Sequence, residues 1–244
     1  MNYLVEENKK TKVIKVNNQD FIFYGGNQSW WKDVNVSLQK YGCGVIAMCN
    51  TELSIRGELE AEQAGIDNSS ENDVYTEKDY IEISDYKKYI EDRYNKCYRF
   101  PMKPPFNAMG LMPWTMARGI REFYGQFGIK VKSKWAPTLS KNKIIDNISE
   151  MVDKGIPIPA SYYVFNKKNK LMFYSYDEKK NEIKESSGCT SHYFNITGII
   201  HIETNNEKNT YLSVSSWGEL YYIKFDDWVK KLSYFTNILY IKKL

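Results

Sequence analysis

The sequence is short of what most metal and nucleotide chemistry requires. It has two histidines, His192 and His201, in 244 residues, and its four cysteines, Cys43, Cys49, Cys97 and Cys189, form no CxxC pair. A His-rich or Cys-built metal centre is therefore not expected, and no cofactor is implied. No glycine-rich phosphate loop and no dinucleotide fingerprint is present, and no basic stripe is interleaved with aromatic residues. Nucleotides and nucleic acids are thus not the expected partners. No apolar run reaches the roughly 18 residues of a membrane span. Residues 1–15 are polar and charged with no apolar h-region, so no signal peptide is read there. Reduced thiols in a cytoplasmic setting are the expectation.

Against these gaps the chain is rich in aromatic residues. Twenty tyrosines, eleven phenylalanines and six tryptophans support a packed core despite the low mean hydropathy. The net charge of +4 is spread among interleaved acids and bases, which describes a solvated surface better than a dedicated polyanion site. The length suits one domain of generous size or two small ones. We expect a single α+β domain over 1–244, with a mainly helical half to residue 154 behind short N-terminal strands and an antiparallel β half from 155 onward.

Residues 1–24 alternate apolar and polar and read as one or two strands around a turn at Asn17–Asp20. A helix is expected from Gly44 to about Glu52 or Gly57, then an acidic, polar stretch from Glu58 to Asp79. Ser84 reads as the cap of a helix over Asp85–Tyr94. After the breaks at Pro101, Pro104 and Pro105, Pro113 opens a helix to about Phe127, closed by Gly128. Trp135-Ala136-Pro137 reads as a connector, and Ser140 caps a helix over Lys141–Lys154 stopped by Gly155. Strands are expected at 156–165, 171–176, 191–202, 210–215, 220–225 and 235–241. Asp177–Glu185 reads as a charged loop or hairpin tip, and Asp226-Asp227-Trp228 as a short helical turn.

The stretch Tyr41-Gly42-Cys43-Gly44-Val45-Ile46-Ala47-Met48 organises the rest. Gly42 and Gly44 let the backbone turn tightly and a substrate approach closely. A thiol at a helix N-terminus meets the positive end of the dipole, which favours the thiolate. Cysteine is also at home as a small buried hydrophobe. Thiol catalysis further requires a histidine to share the proton, a group to orient that histidine, and donors for the oxyanion. His192 follows Cys43 by 149 positions on an expected strand, whereas His201, nine residues on, points to the other face of a regular strand.

Gly42-Cys43-Gly44-Val45 resembles the cysteine motif of the C39-like branch of the papain-like peptidases. Gly155-Ile156-Pro157, followed by a strand and then His192-Tyr193-Phe194-Asn195-Ile196-Thr197-Gly198, resembles that branch's histidine strand. Ser215-Ser216-Trp217-Gly218 resembles the N-S-W-G or D-P-W-G turn of the third catalytic residue. Together these motifs span residues 24–50 and 155–228. The resemblance implies a papain-like fold and a cysteine peptidase or related thiol amidohydrolase. It makes Cys43 the nucleophile, His192 the base, Ser215 the orienting residue and Gln28 the oxyanion donor, with Gln39 competing for that last role. Ser215 departs from the family's Asn or Asp, and a short neutral hydroxyl holds an imidazolium less well than a carboxylate does.

The substrate is then a peptide or protein, bound in a groove formed by Trp30, Trp31, Gly42, Gly44 and Trp217. Acyl transfer in place of hydrolysis fits the same residues. The alternative is a non-catalytic papain-like module that binds a peptide or partner protein in that cleft. No pattern in the chain fixes an oligomeric state.

Overall fold

The computed structural model describes residues 4–19, 21–65, 80–97, 110–177, 182–204 and 207–244. In chain order it begins with β1 (Leu4–Lys10), β2 (Lys15–Asn18), β3 (Phe21–Tyr24), α1 (Val36–Tyr41) and α2 (Cys43–Gln63). Then come β4 (Tyr80–Glu82), α3 (Ile83–Cys97), α4 (Pro113–Gly125), β5 (Val131–Trp135) and α5 (Lys141–Asp153). The C-terminal part holds β6 (Ile158–Tyr163), β7 (Leu171–Asp177), β8 (Glu182–Cys189), β9 (Ser191–Thr204), β10 (Glu207–Ser216), β11 (Glu219–Lys224), α6 (Phe225–Val229) and β12 (Leu239–Lys243). The α+β expectation holds at that level.

β9 is the spine of the larger sheet. Seven antiparallel strands run in the order β1-β9-β10-β11-β7-β8, with β6 also paired to β9. β1 and β6 share one edge of β9: β1 pairs with residues 198–203 and β6 with residues 191–196. The 14 residues of β9 thus carry partners along both sides, which fixes the register of His192 opposite Tyr162. β12 pairs with β5 in a separate two-stranded sheet, and β3-β2-β4 form a small third one.

α2 is the central helix of the helical half. Its residues from Gly44 to Leu53, with Ile55, Leu59 and Ala61, are all buried. A helix buried over all its faces belongs to the core, not to an amphipathic surface layer. It outruns the expected end at Glu52–Gly57 because Gly57 is only a mild helix breaker once tertiary packing surrounds it.

Buried polar groups rivet α2 to β9. Asn195 Nδ2 donates to Ala47 O (2.9 Å) and Thr51 Oγ1 (3.0 Å). Asn50 Nδ2 donates to Asn195 Oδ1 (3.1 Å), and Tyr86 OH donates to Asn50 Oδ1 (2.6 Å). Each such bond contributes about 1 kcal/mol net, but an orphaned partner costs about 1–3 kcal/mol, so the network strongly disfavours any other docking of the two elements. Deeper in the helical layer, Glu52 and Arg93 pair at 2.5 Å, both buried.

Several expectations change. β5 runs into the expected connector at Trp135, and β7 and β8 pair as a hairpin across the expected charged loop or hairpin tip, β8 taking residues 182–185 of it. Lysine at every second position of β5 hides the alternation that buries Val131, Ser133 and Trp135. Ser84 lies inside α3, which starts at Ile83. Ser140 is the N-cap of α5 by position but makes no side-chain capping bond. β12 starts at Leu239 rather than at 235. The expected breaks at Pro101, Pro104 and Pro105 and most of the acidic stretch to Asp79 lie outside the described residues.

Candidate thiol site

Cys43 is the first residue of α2, two residues after the last residue of α1. The flanking glycines serve closeness, not an unusual backbone. Gly42 has φ −74° and ψ −12°, ordinary helical values. A Cβ on Gly42 would stand 2.3 Å from Leu38 O, and one on Gly44 would stand 2.8 Å from Leu111 Cβ and 3.3 Å from the Tyr193 ring. The two glycines let the chain bearing the thiol press against α1 on one side and β9 on the other. The tight turn expected from them is therefore replaced by tight packing.

That contact brings Cys43 and His192 together. Both line one small cavity, with Gln28, Asn50, Ser216 and Trp217 among its other walls. The backbone N–H of Tyr193, the residue after His192, bonds the Cys43 thiol and favours the thiolate, as do the N–H groups of Gly44 and Cys43 itself. Burial outweighs them and pushes the Cys43 thiol above its usual range. This corrects the expected lowering by the helix dipole: the dipole end is present, but the sulfur lies in desolvating surroundings. As a whole residue Cys43 keeps partial exposure.

His192 is buried at 8 % exposure, and desolvation alone lowers its pKa to about 3. Its Nε2 shares a hydrogen bond of 2.7 Å with Ser216 Oγ. Its ring stacks on Trp217, with centroids 4.4 Å apart and planes 17° from parallel. The hydroxyl that meets the imidazole is therefore that of Ser216 and not that of Ser215. Ser215 Oγ donates instead to Tyr24 O at 2.7 Å, tying β10 to the N-terminal hairpin. The two serines are adjacent on a strand and project to opposite faces, so only one can reach the imidazole.

The turn beyond them is strained. Trp217 has φ +50° and Gly218 φ +83°, and they join β10 to β11 in a two-residue hairpin paired Ser216↔Glu219. Both φ values are those of a type I′ turn, which ordinarily takes Asn-Gly. A bulky residue held at positive φ costs on the order of 1 kcal/mol or more and persists only where its surroundings enforce it. Here Asn27 Nδ2 donates to Trp217 O (2.8 Å) and Tyr24 N donates to Gly218 O (2.8 Å). These bonds hold the indole over the histidine.

Gln28 lines the cavity, and Gln39 does not. Gln28 Nε2 donates to Gln39 O at 2.8 Å, so Gln39 acts through its carbonyl as the anchor of Gln28. Gln28 Oε1 is buried with no partner. The tryptophans divide. Trp31 is fully buried and donates from Nε1 to Glu91 Oε1. Trp30 packs edge-on against Phe23 and Tyr86. Neither lines the cavity, so of the three tryptophans expected in a groove only Trp217 stands there. The WW pair mimics a groove wall in sequence because aromatic content alone does not distinguish core from cleft.

Sequence reasoning missed Ser216, Asn50 and Tyr193. The S-S-W-G string contains Ser216, but no sequence signal says which serine faces inward without the register of β10. His201 sits in a separate cleft with Thr210, its Nδ1 3.2 Å from Thr210 Oγ1. Among the described residues no group of three or more His, Cys, Asp or Glu side chains could hold a metal ion, and no helix is long and apolar enough to cross a membrane. Comparison of the chain with protein-family models, curated proteins and solved structures found no match in any of the three.

Proposed function

We propose that the chain is a papain-like thiol hydrolase that cleaves a peptide or related amide through a Cys43 thioester. One observation carries the reading: a cysteine at the head of a helix and a histidine on the central strand line a single cavity, with a glutamine amide and a histidine-bound hydroxyl beside them. Nucleophile, base, oxyanion donor and orienting group are the minimum set for acyl transfer to sulfur.

In the resting site both partners are uncharged, because burial raises the thiol and lowers the imidazole. Ser216 Oγ meets Nε2 of the ring; in the proposed cycle His192 takes the tautomer with hydrogen on Nε2, donated to Ser216 Oγ, which makes Nδ1 the basic nitrogen. Nδ1 takes the Cys43 proton as the sulfur attacks the carbonyl carbon. The backbone N–H of Cys43 and the Gln28 amide receive the developing oxyanion. The imidazolium then protonates the departing amine, leaving a thioester that water hydrolyses with His192 again as base. Gln28 has one N–H engaged by Gln39 O and a second for this purpose.

The second reading is a non-catalytic module using the same fold. It is favoured by the cavity itself, whose volume of ≈ 10 Å³ is on the order of one water molecule, and by the neutral serine at the orienting position. Incubation with a mixed peptide library separates the two. The hydrolase gives new amino termini with wild type, none with Cys43→Ala and at least about 100-fold fewer with His192→Ala. Peptide retention without new termini in any of the three removes the enzyme and leaves the module.

A further inference from the structure

One end of the β half carries four aromatic rings in solvent. Phe165 is 89 % exposed, Tyr234 47 %, Phe235 43 % and Tyr163 38 %. They form one cluster: Tyr163 meets Phe165 at 5.2 Å and Phe235 at 5.8 Å, and Tyr234 meets Phe235 at 5.3 Å between centroids. The fold assembles it from two distant segments. Thr236 Oγ1 accepts from Tyr163 N (2.9 Å) and donates to Tyr163 O (3.0 Å), while Ser161 N donates to Asn237 O (2.9 Å). These bonds fasten the segment before β12 to the end of β6 and leave the rings outward. Apolar surface that could have been turned inward is instead held out, which marks an interaction site.

Charge decides what the site fits. The stretch that follows Tyr163 is Val164-Phe165-Asn166-Lys167-Lys168-Asn169-Lys170, and the stretch that leads to Tyr234 is Val229-Lys230-Lys231-Leu232-Ser233. Five lysines, all exposed, flank the rings, and neither stretch contains a carboxylate. Lys230 has a nearby acid, Asp227 at 3.5 Å on the surface of α6, a pair that water screens heavily. Rings at the centre with cationic rims match an anionic lipid surface, where Phe and Tyr settle at the headgroup level and lysines meet the lipid phosphates. A ring as free as that of Phe165, on a turn at the end of a strand, is suited to insertion rather than to being enclosed by a groove.

We propose that this aromatic face docks the protein on an anionic membrane surface as a peripheral contact, independent of the thiol chemistry. The experiment is cosedimentation of the full-length chain with vesicles of one part phosphatidylserine to three parts phosphatidylcholine, against vesicles of phosphatidylcholine alone. Wild type partitions onto the anionic vesicles at least about tenfold more strongly, and high salt weakens it. Phe165→Ala and the double variant Lys167→Glu/Lys168→Glu each reduce partitioning at least about tenfold, with unchanged thermal melting, since these side chains are exposed. Three results overturn the proposal. One is the absence of binding to anionic vesicles. Another is binding that survives Phe165→Ala and follows salt alone, which would be the general attraction of a chain of net charge +4. The last is self-association without vesicles that Phe165→Ala abolishes, which would make the face an interface with a second copy.

Discussion

Replacing Ser216 by aspartate puts a carboxylate where a hydroxyl now meets His192 Nε2 at 2.7 Å. Two unit charges about 4 Å apart attract by about 4 kcal/mol at the effective dielectric that reproduces protein titrations. That is about 3 pKa units, enough to bring His192 from about 3 to about 6 before the new carboxylate's own desolvation takes back part of the gain. An imidazolium stabilised in this way makes His192 a better acceptor for the Cys43 proton, so the thiolate–imidazolium pair gains population. The assay is the rate of iodoacetamide labelling of Cys43 against pH, read by mass spectrometry with Cys189 as the internal reference. Burial pushes Cys189 up to about 12, so its rate stays low across neutral pH. In wild type Cys43 labelling rises only on the alkaline side, since burial raises that thiol too. In Ser216→Asp it rises at least about tenfold near neutrality, while Ser216→Ala shows no such gain. If Ser215→Asp accelerates labelling and Ser216→Asp does not, Ser216 is not the residue that orients the imidazole. If neither does, His192 does not act on Cys43.

Because folding depresses the His192 pKa from 6.5 to about 3, the unfolded chain binds the extra proton. Stability is therefore full above about pH 6.5 and falls as pH drops, by roughly 5 kcal/mol at most near pH 3, and His192→Gln should flatten the denaturant-midpoint profile over that window. Trp217→Asn relaxes a strained turn but uncovers the imidazole, so the His192 proton resonance, one of only two histidine signals, should titrate closer to the ordinary value in that variant. Arg93→Leu leaves Glu52 buried without its cation and should cost about 3–5 kcal/mol at neutral pH. The carboxyl then carries a raised pKa, so the loss should shrink as pH falls towards about 4, measured by urea unfolding at two pH values.

How much of this was legible follows from what sequence patterns encode. The long amphipathic helices at Pro113 and Lys141 and the strand bearing His192 announce themselves through periodicity and through Pro, Gly and apolar runs. That Cys43 and His192 stand at one cavity was foreshadowed by their chain order and by the motifs around them. What was not legible depends on register. Whether Ser215 or Ser216 meets the imidazole is decided by pleat alternation along β10 and its register on β9, where Ser213 faces Gly198 but Val214 faces Ile196, a shift that one sequence does not reveal. The sign of the thiol shift was also hidden, since a helix N-terminus lowers a pKa only when the group stays hydrated enough for burial not to dominate. Lysine-bearing β5 and polar β8 escaped notice because an edge strand needs only one buried face, and much of each is charged or small.

The narrow, neutral state of the site bears directly on how the proposed reaction would turn over. A cavity of ≈ 10 Å³ holds about one water molecule, so on the proposed reading a peptide carbonyl reaches the thiol only if a wall moves. Trp217 is the wall under strain, at φ +50°, and its stacked ring covers one face of the His192 imidazole. Displacing it towards a relaxed backbone would widen the cavity and rehydrate the imidazole in one motion, coupling entry to activation of the base. The fixed parts are the opposite walls. Asn50 and Asn195 lock α2 to β9 through the bonds to Ala47 and Thr51, so the sulfur and the Tyr193 N–H keep their relation while the turn moves. Asn195→Ala should then slacken that lock without touching the thiol, the imidazole or the turn. Its expected mark is a loss of stability of about 1–3 kcal/mol from the orphaning of Asn50 Nδ2, Ala47 O keeping its bond from Thr51 Oγ1, together with slower Cys43 labelling in the Ser216→Asp background. A loss of stability with labelling unchanged would show that the α2–β9 rivet holds the fold but not the pair.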